Sequence, residues 1–156
     1  MSIFKDIKDL AAGKPQSKDW YRSQMFYGLP DLQTDIKAGL ILFYNYNATT
    51  EKLPFFDRYP MTLITGISPV TGHFWGGNLH YLRPEVRQGV AKTWGNGGVT
   101  YPLRCHHKYL MSNATTIKVV EPIELRDMIP LPLENFVVNV AGQRLDIPSS
   151  FIWSRV

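Results

Sequence analysis

The spacing of apolar residues changes character twice along this chain. From the start, Ile3, Phe4, Ile7, Leu10 and Ala11 recur at helical intervals, and Gly13 with Lys14-Pro15 ends the pattern. The spacing predicts a short amphipathic helix, of a length marginal in isolation. Its apolar stripe therefore needs a partner, either the chain's own body or a neighbouring subunit. A second helix is signalled by SKDWYRSQMFYG, with Ser17 as cap, Asp19 in the first turn and Gly28 as a stop. Trp20, Gln24 and Tyr27 share one face of it. From Gly39 the period shortens. GLILFYNYN is β-branched and aromatic, Asn47 to Thr50 is a turn, and Lys52 to Pro60 is extended because Pro54 and Pro60 both oppose helix. MTLITGI and HFWGGNLHYL read as strands around the turn SPVTG, and Gly76-Gly77 inside the second signals a bulge or sharp coil.

After Arg83 the pattern is mixed. RPEVRQGVAKTW predicts a helix with Pro84 in its first turn, and Gly95-Asn96-Gly97-Gly98 a flexible loop. RCHHKYLMSN predicts a helix. TTIKVVEPIEL predicts a strand that Pro122 ends or places at an edge. ENFVVNVAGQRLDIPSSFIWSRV predicts two strands around Ala141-Gly142-Gln143. Together these describe a mostly β protein with short helices, an α+β chain built on a small, strongly bent β-barrel of Src-homology-3-like or OB-like type. A single domain over residues 1–156 is expected, with a helical arm at 1–38, a barrel core with inserted short helices at 39–136 and a C-terminal hairpin or arm at 137–156.

Composition narrows the function classes. With 44% hydrophobic and 19% charged residues the chain is globular in type, and its 11 prolines and 12 glycines leave little room for long helices. The formal charge of +4 suits an acidic partner such as nucleic acid, but no dense Lys/Arg cluster accompanies it. One cysteine, Cys105, excludes an internal disulfide and fits a reducing cytoplasm. The first residues lack the apolar run of a secretion signal, and no run is long enough to span a membrane.

The residues that could carry chemistry form no known constellation. His73, His80, His106, His107 and Cys105 show no metal-ligand spacing, and adjacent His106 and His107 point to opposite faces. A Cys105–His pair lacks any cysteine-enzyme signature. His80, between Leu79 and Tyr81, reads as a satisfied, half-buried histidine. Asp57, set among Phe55, Phe56 and Tyr59, is costly unless hydrogen-bonded, and reads as the acceptor that pins a bend between two strands. The glycine run at Gly95 lacks the Lys-Ser/Thr of a phosphate loop. Tyr44, Tyr46, Phe55, Phe56 and Trp75 would make a base-stacking platform only if they faced outward. No catalytic residue, cofactor or metal is assigned.

One resemblance is carried by SKDWYRSQM, KAGLILFYNYNATTEKLPFFDRYPMTLI, FWGGNLHYLRPEVR, HHKYL and IPLPLENF. The series resembles a family of small virion proteins of large contractile-tailed bacteriophages, over roughly Lys18 to Phe136. The Leu53–Pro60 and Gly77–Leu82 blocks are the specific ones. The resemblance implies a virion component made in the host cytoplasm, with no catalytic residues to carry over; members are described as DNA-end-protecting or as other structural proteins. Its motif positions here are Trp20, Phe43, Phe56, Asp57, Tyr59, Pro60, Gly77, Asn78, His80 and Tyr81. Three functions follow in order of expectation. The first is a tail or baseplate adaptor, in multiple copies within a symmetric assembly of phage structural proteins. It would grip neighbours through Phe4, Ile7 and Leu10 at one end and Ile152 and Trp153 at the other. The second is a DNA-binding particle protein such as an end protector, which requires Lys and Arg gathered on one face. The third is an enzyme, which requires His106 or His107 near Cys105 or an acid within a cleft.

Overall fold

A computed structural model describes residues 3–48, 55–95 and 101–154. Thr49–Pro54 and Asn96–Thr100, and with them parts of the predicted turn, the LPFF motif and the glycine loop, lie outside the described residues, as does the Phe4 side chain. Helix α1 (Ile3–Ala11) is followed by α2 (Lys18–Gly28), whose first turn is capped where Ser17 Oγ accepts from Trp20 N at 3.1 Å. The strands are β1 (Ile41–Tyr46), β2 (Phe56–Asp57), β3 (Met61–Ser68), β4 (His73–Asn78), β5 (His106–Leu110), β6 (Ala114–Val119), β7 (Phe136–Val140) and β8 (Gln143–Ile147). Helices α3 (Pro84–Gly95), α4 (Pro122–Met128) and α5 (Ser149–Trp153) complete the set.

The strands form two antiparallel sheets, one of five in the order β5-β4-β3-β1-β6 and one of three in the order β2-β7-β8. A flat five-stranded sheet would hold its edges about 19 Å apart. Yet edge strand β5 ends at Leu110 and edge strand β6 starts at Ala114, joined by a single 3₁₀ turn at Met111–Asn113. Four residues reach at most about 14 Å, so the sheet must curl until its edges approach at this corner. No ladder joins β5 to β6 among the described residues, so the expected closed barrel is replaced by a curled, open sheet.

Both faces of that sheet are covered, which is why β1 reads as a continuous apolar run. Ile41 and Phe43 enter one cluster with Met61 and Leu63 on the sheet, Leu79 in the turn after β4, and Ile7, Met25, Ala91, Met128 and Ile152 on the five helices. Leu42, Tyr44 and Tyr46 enter the other, with Ile64, Phe74, Tyr109, Phe56 and Val137. Strand β7 joins the two, since Phe136 faces the first cluster and Val137 the second.

Four expectations change here. RCHHKYLMSN is not one helix but a strand between 3₁₀ turns at Leu103–Cys105 and Met111–Asn113. Residues His106–Leu110 pair with Gly77 back to His73, and ladder formation against β4 overrides the helix-forming residues. Strand β6 is an edge strand and stops before Pro122, but PIEL does not continue it: Pro122 opens helix α4, where a first-turn proline loses no hydrogen bond. The segment after Pro148 is helix α5, not strand. The bulge lies opposite the predicted glycines. The β3–β4 register slips between Ile64 and Gly66, which places the extra residue at Thr65. Gly76 and Gly77 serve close approach instead: a Cβ on Gly76 would stand 2.0 Å from Leu63 O, and one on Gly77 would meet the Tyr101 ring at 2.9 Å.

Candidate functional site

The specific sequence blocks converge on a buried polar knot at the junction of the two sheets. Asp57, at the end of β2, is buried and fully engaged. Its Oδ1 accepts from Tyr59 N at 3.0 Å, turning the chain towards β3, and from Asn135 N at 3.0 Å, just ahead of β7. Its Oδ2 accepts from Asn78 Nδ2 at 3.1 Å and His80 Nδ1 at 2.8 Å. Asn78 Oδ1 accepts from Met61 N and from His80 N, capping the 3₁₀ turn Leu79–Tyr81. Burial pushes the Asp57 carboxyl up, but the adjacent His80 and the hydrogen bonds from His80, Asn78 and Asn135 outweigh it and hold the group below the usual carboxylate range.

A second set of ions lies beside it. Glu134 Oε1 takes Lys18 Nζ at 3.1 Å and Ser149 Oγ at 2.8 Å, and Glu134 Oε2 lies 3.8 Å from Arg87 Nη2. Burial raises the Glu134 carboxyl, yet His80, Lys18 and Arg87 together hold it low. Arg87, fully buried, donates to Leu82 O and Ile129 O, and its guanidinium sits 5.6 Å from the Trp153 ring centre. Arg22 donates to Leu133 O and Glu134 O and pairs with Asp19. His80 is wholly buried rather than half-buried, and its Nε2, like Glu134 Oε2 and Arg87 Nη2, has no hydrogen-bond partner among the described residues. The buried side chains of this knot hold strands and helices together, and Asp57 also contributes to the lining of the neighbouring cleft.

The motif positions fall around it. Phe43, Phe56, Pro60, Gly77, Asn78 and Tyr81 are buried; Trp20 and Tyr59 are half-buried against the helix-side cluster. The terminal grips are placed otherwise than expected. Ile7 and Ile152 are buried in the chain's own core, and Trp153 donates from Nε1 to His80 O at 2.9 Å, so these side chains are already engaged at home; Leu10 is 66% exposed. Glu134, Arg87 and Arg22 escaped sequence reasoning. Their only signal was a charge set in an apolar run, as in LPLENF.

A cleft opens on the far side of Asp57, between edge strand β5 and strand β2. It has a volume of about 200 Å³ and is walled by the rings of Tyr46, Phe55, Phe56, Tyr81, His107 and Tyr109. Tyr81 and His107 lie 4.3 Å apart, centre to centre. Lys108 and His73 line it too; Lys108 is exposed and has no ion pair with a described residue, while His73 Nδ1 is buried without a hydrogen-bond partner among the described residues. Burial drives His107 down to about 4, so its ring is neutral at pH 7; it sits 3.1 Å from Arg104 O through Nε2. At the edge of the site, the Arg144 guanidinium stands 5.9 Å from the centre of the Phe56 ring. Of the expected stacking platform, Tyr46, Phe55 and Phe56 reach this cleft, Tyr44 is fully buried, and Trp75 packs on Gly66.

Of the arrangement an enzyme would require, His107 and the acid Asp57 line the same cleft, while Cys105 is buried. Burial pushes the Cys105 thiol up to about 11, so it is protonated at neutral pH. His106 Nδ1 lies 2.7 Å from Tyr101 Oη, and His107 turns to Arg104 O. Among the described residues no three metal-ligating side chains converge, and no helix is long and apolar enough to cross a membrane. Lys18, Arg22, Arg87 and Lys118 pair with Glu134, Asp19 and Asp31, and Asp57 pairs with His80.

Neither the curated proteins nor the solved structures gave a match. The family model described as phage T4 terminal DNA protecting protein matches residues 2–97, well over half of the chain, so this chain belongs to that family of phage virion proteins.

Proposed function

We propose that this chain is a non-enzymatic virion protein that binds the ends of the packaged phage DNA and shields them from nucleases. The family match over residues 2–97 carries the reading. Charge is consistent with it: the chain carries a formal +4, and exposed Lys108 and Arg144 stand by an aromatic cleft. A tail or baseplate adaptor has weaker support. The comparisons offer nothing for it, and two of the side chains it would use, Ile7 and Ile152, are consumed by the core. Other virion proteins remain proposed neighbours.

The test is digestion of a linear duplex by a double-strand exonuclease, with and without the purified full chain. The reading predicts that digestion from the ends slows while a restriction enzyme still cuts an internal site. Unslowed digestion, or equal blocking of the internal site, would overturn it.

A further inference from the structure

End protection requires a way to tell an end from the middle of a duplex, and phosphate contacts alone cannot, because every phosphate is alike. The cleft beside β5 supplies one. We infer that it takes the unstacked terminal base of a DNA strand, with Lys108 and Arg144 on the adjoining phosphates; this rests on the end-protecting reading.

Four observations support the assignment. The walls are aromatic rings, which stack on any base and so give affinity without sequence preference. His107 belongs to those walls as a neutral ring, because burial keeps its proton off, and it pairs with Tyr81 at 4.3 Å as one side of the slot. A volume of about 200 Å³ suits one planar ring system and not a helix. The polar lining is sparse: it consists of Asp57, whose acceptors are taken by four donors of the protein itself, with His73 and Lys108, and the Arg144 guanidinium stands over the Phe56 ring at 5.9 Å. A base inside a duplex must be unpaired and flipped to enter such a slot, whereas a terminal base costs least to unstack. The slot would therefore convert a stacking energy into selectivity for ends. The other occupant to consider, a peptide strand added along the β5 edge, would use backbone groups and leave the rings idle.

The experiment compares three DNAs on the intact chain at one salt concentration: a duplex hairpin with one open end, the same hairpin with abasic sugars at both terminal positions, and a dumbbell closed at both ends. Open ends should bind best, and removal of the terminal bases should lower affinity about tenfold, towards that of the dumbbell. His107→Ala, checked for an unchanged unfolding midpoint, should abolish the preference for the base-bearing end and leave the abasic end's affinity unaltered. If that variant does not fold, Lys108→Ala should weaken the open and abasic ends equally, with the tenfold preference kept. Equal affinity for normal and abasic ends, both well above the dumbbell, overturns the slot and spares end binding. Equal affinity for all three overturns both. Displacement of the DNA by an extended peptide with no dependence on the terminal base would assign the cleft to the peptide instead.

Discussion

Asp57 spends all of its acceptor capacity inside the protein, with two backbone N–H groups on one oxygen and two side chains on the other. Asp57→Asn would aim an N–H at one of these donors and leave His80 Nδ1 without its charge partner. We expect a loss of about 3–5 kcal/mol in urea unfolding. A smaller loss would mean that the knot is not what joins the sheets. Acid should act through the same groups. The folded Asp57 and Glu134 are both held below the ordinary carboxylate range, so the unfolded chain takes up protons first as pH falls. Their contribution is complete above about pH 5 and fades as pH drops below about 4. Urea midpoints measured between pH 3 and 7 should follow that course, with a flatter acid limb in Asp57→Asn. At this scale the sequence was informative where cost was visible, since a carboxylate among aromatics must be satisfied. It was silent about Glu134 and Arg87, whose pairing brings helix α3 against the segment leading into β7. It also hid the complete burial of His80, which depends on the Trp153 cover.

Elements whose identity came from local chemistry were legible, and those decided by a distant neighbour were not. The Ser17 cap and the hairpin turn with Gly142 at φ 80° follow from a few adjacent residues. Strand β5 does not: HHKYL carries helix formers, and only its ladder to β4 makes it extended. The glycines of β4 were visible but their purpose was not. Gly76 admits the Leu63 carbonyl at a distance no side chain allows, so Gly76→Ala should cost about 3 kcal/mol or push the chain out of the soluble fraction, read by thermal unfolding. Tolerance of alanine there would contradict the β3–β4 packing. Helix α5 is part of the body, because Ile152 is 3% exposed within the main cluster. Ile152→Ala should therefore destabilise the isolated chain by about 2–5 kcal/mol. An unchanged stability, with a defect only in particle assembly, would instead restore the anchoring role.

The whole molecule is a curled five-stranded sheet with helices on one face and a small second sheet on the other. Its β-rich, helix-decorated class was readable from period and punctuation, but closure was not, because whether opposite edges pair depends on the curl of every strand between them. Function was less legible still. Net charge pointed weakly to nucleic acid, and no charge cluster marked a surface, because the proposed discrimination resides in rings that the sequence spreads from Tyr46 to Tyr109. With few cations at the cleft, log Kobs for DNA should fall with log salt at a slope of only roughly −2 to −4; a much steeper slope would indicate an extended phosphate surface elsewhere. The central claim is that the chain recognises ends. It is tested most directly by competing a labelled linear duplex off the purified chain with unlabelled DNA of one sequence, either as a linear fragment or as a relaxed covalently closed circle. The account predicts that the fragment competes in proportion to its ends and the circle hardly at all; a circle that competes as well, base pair for base pair, would contradict it.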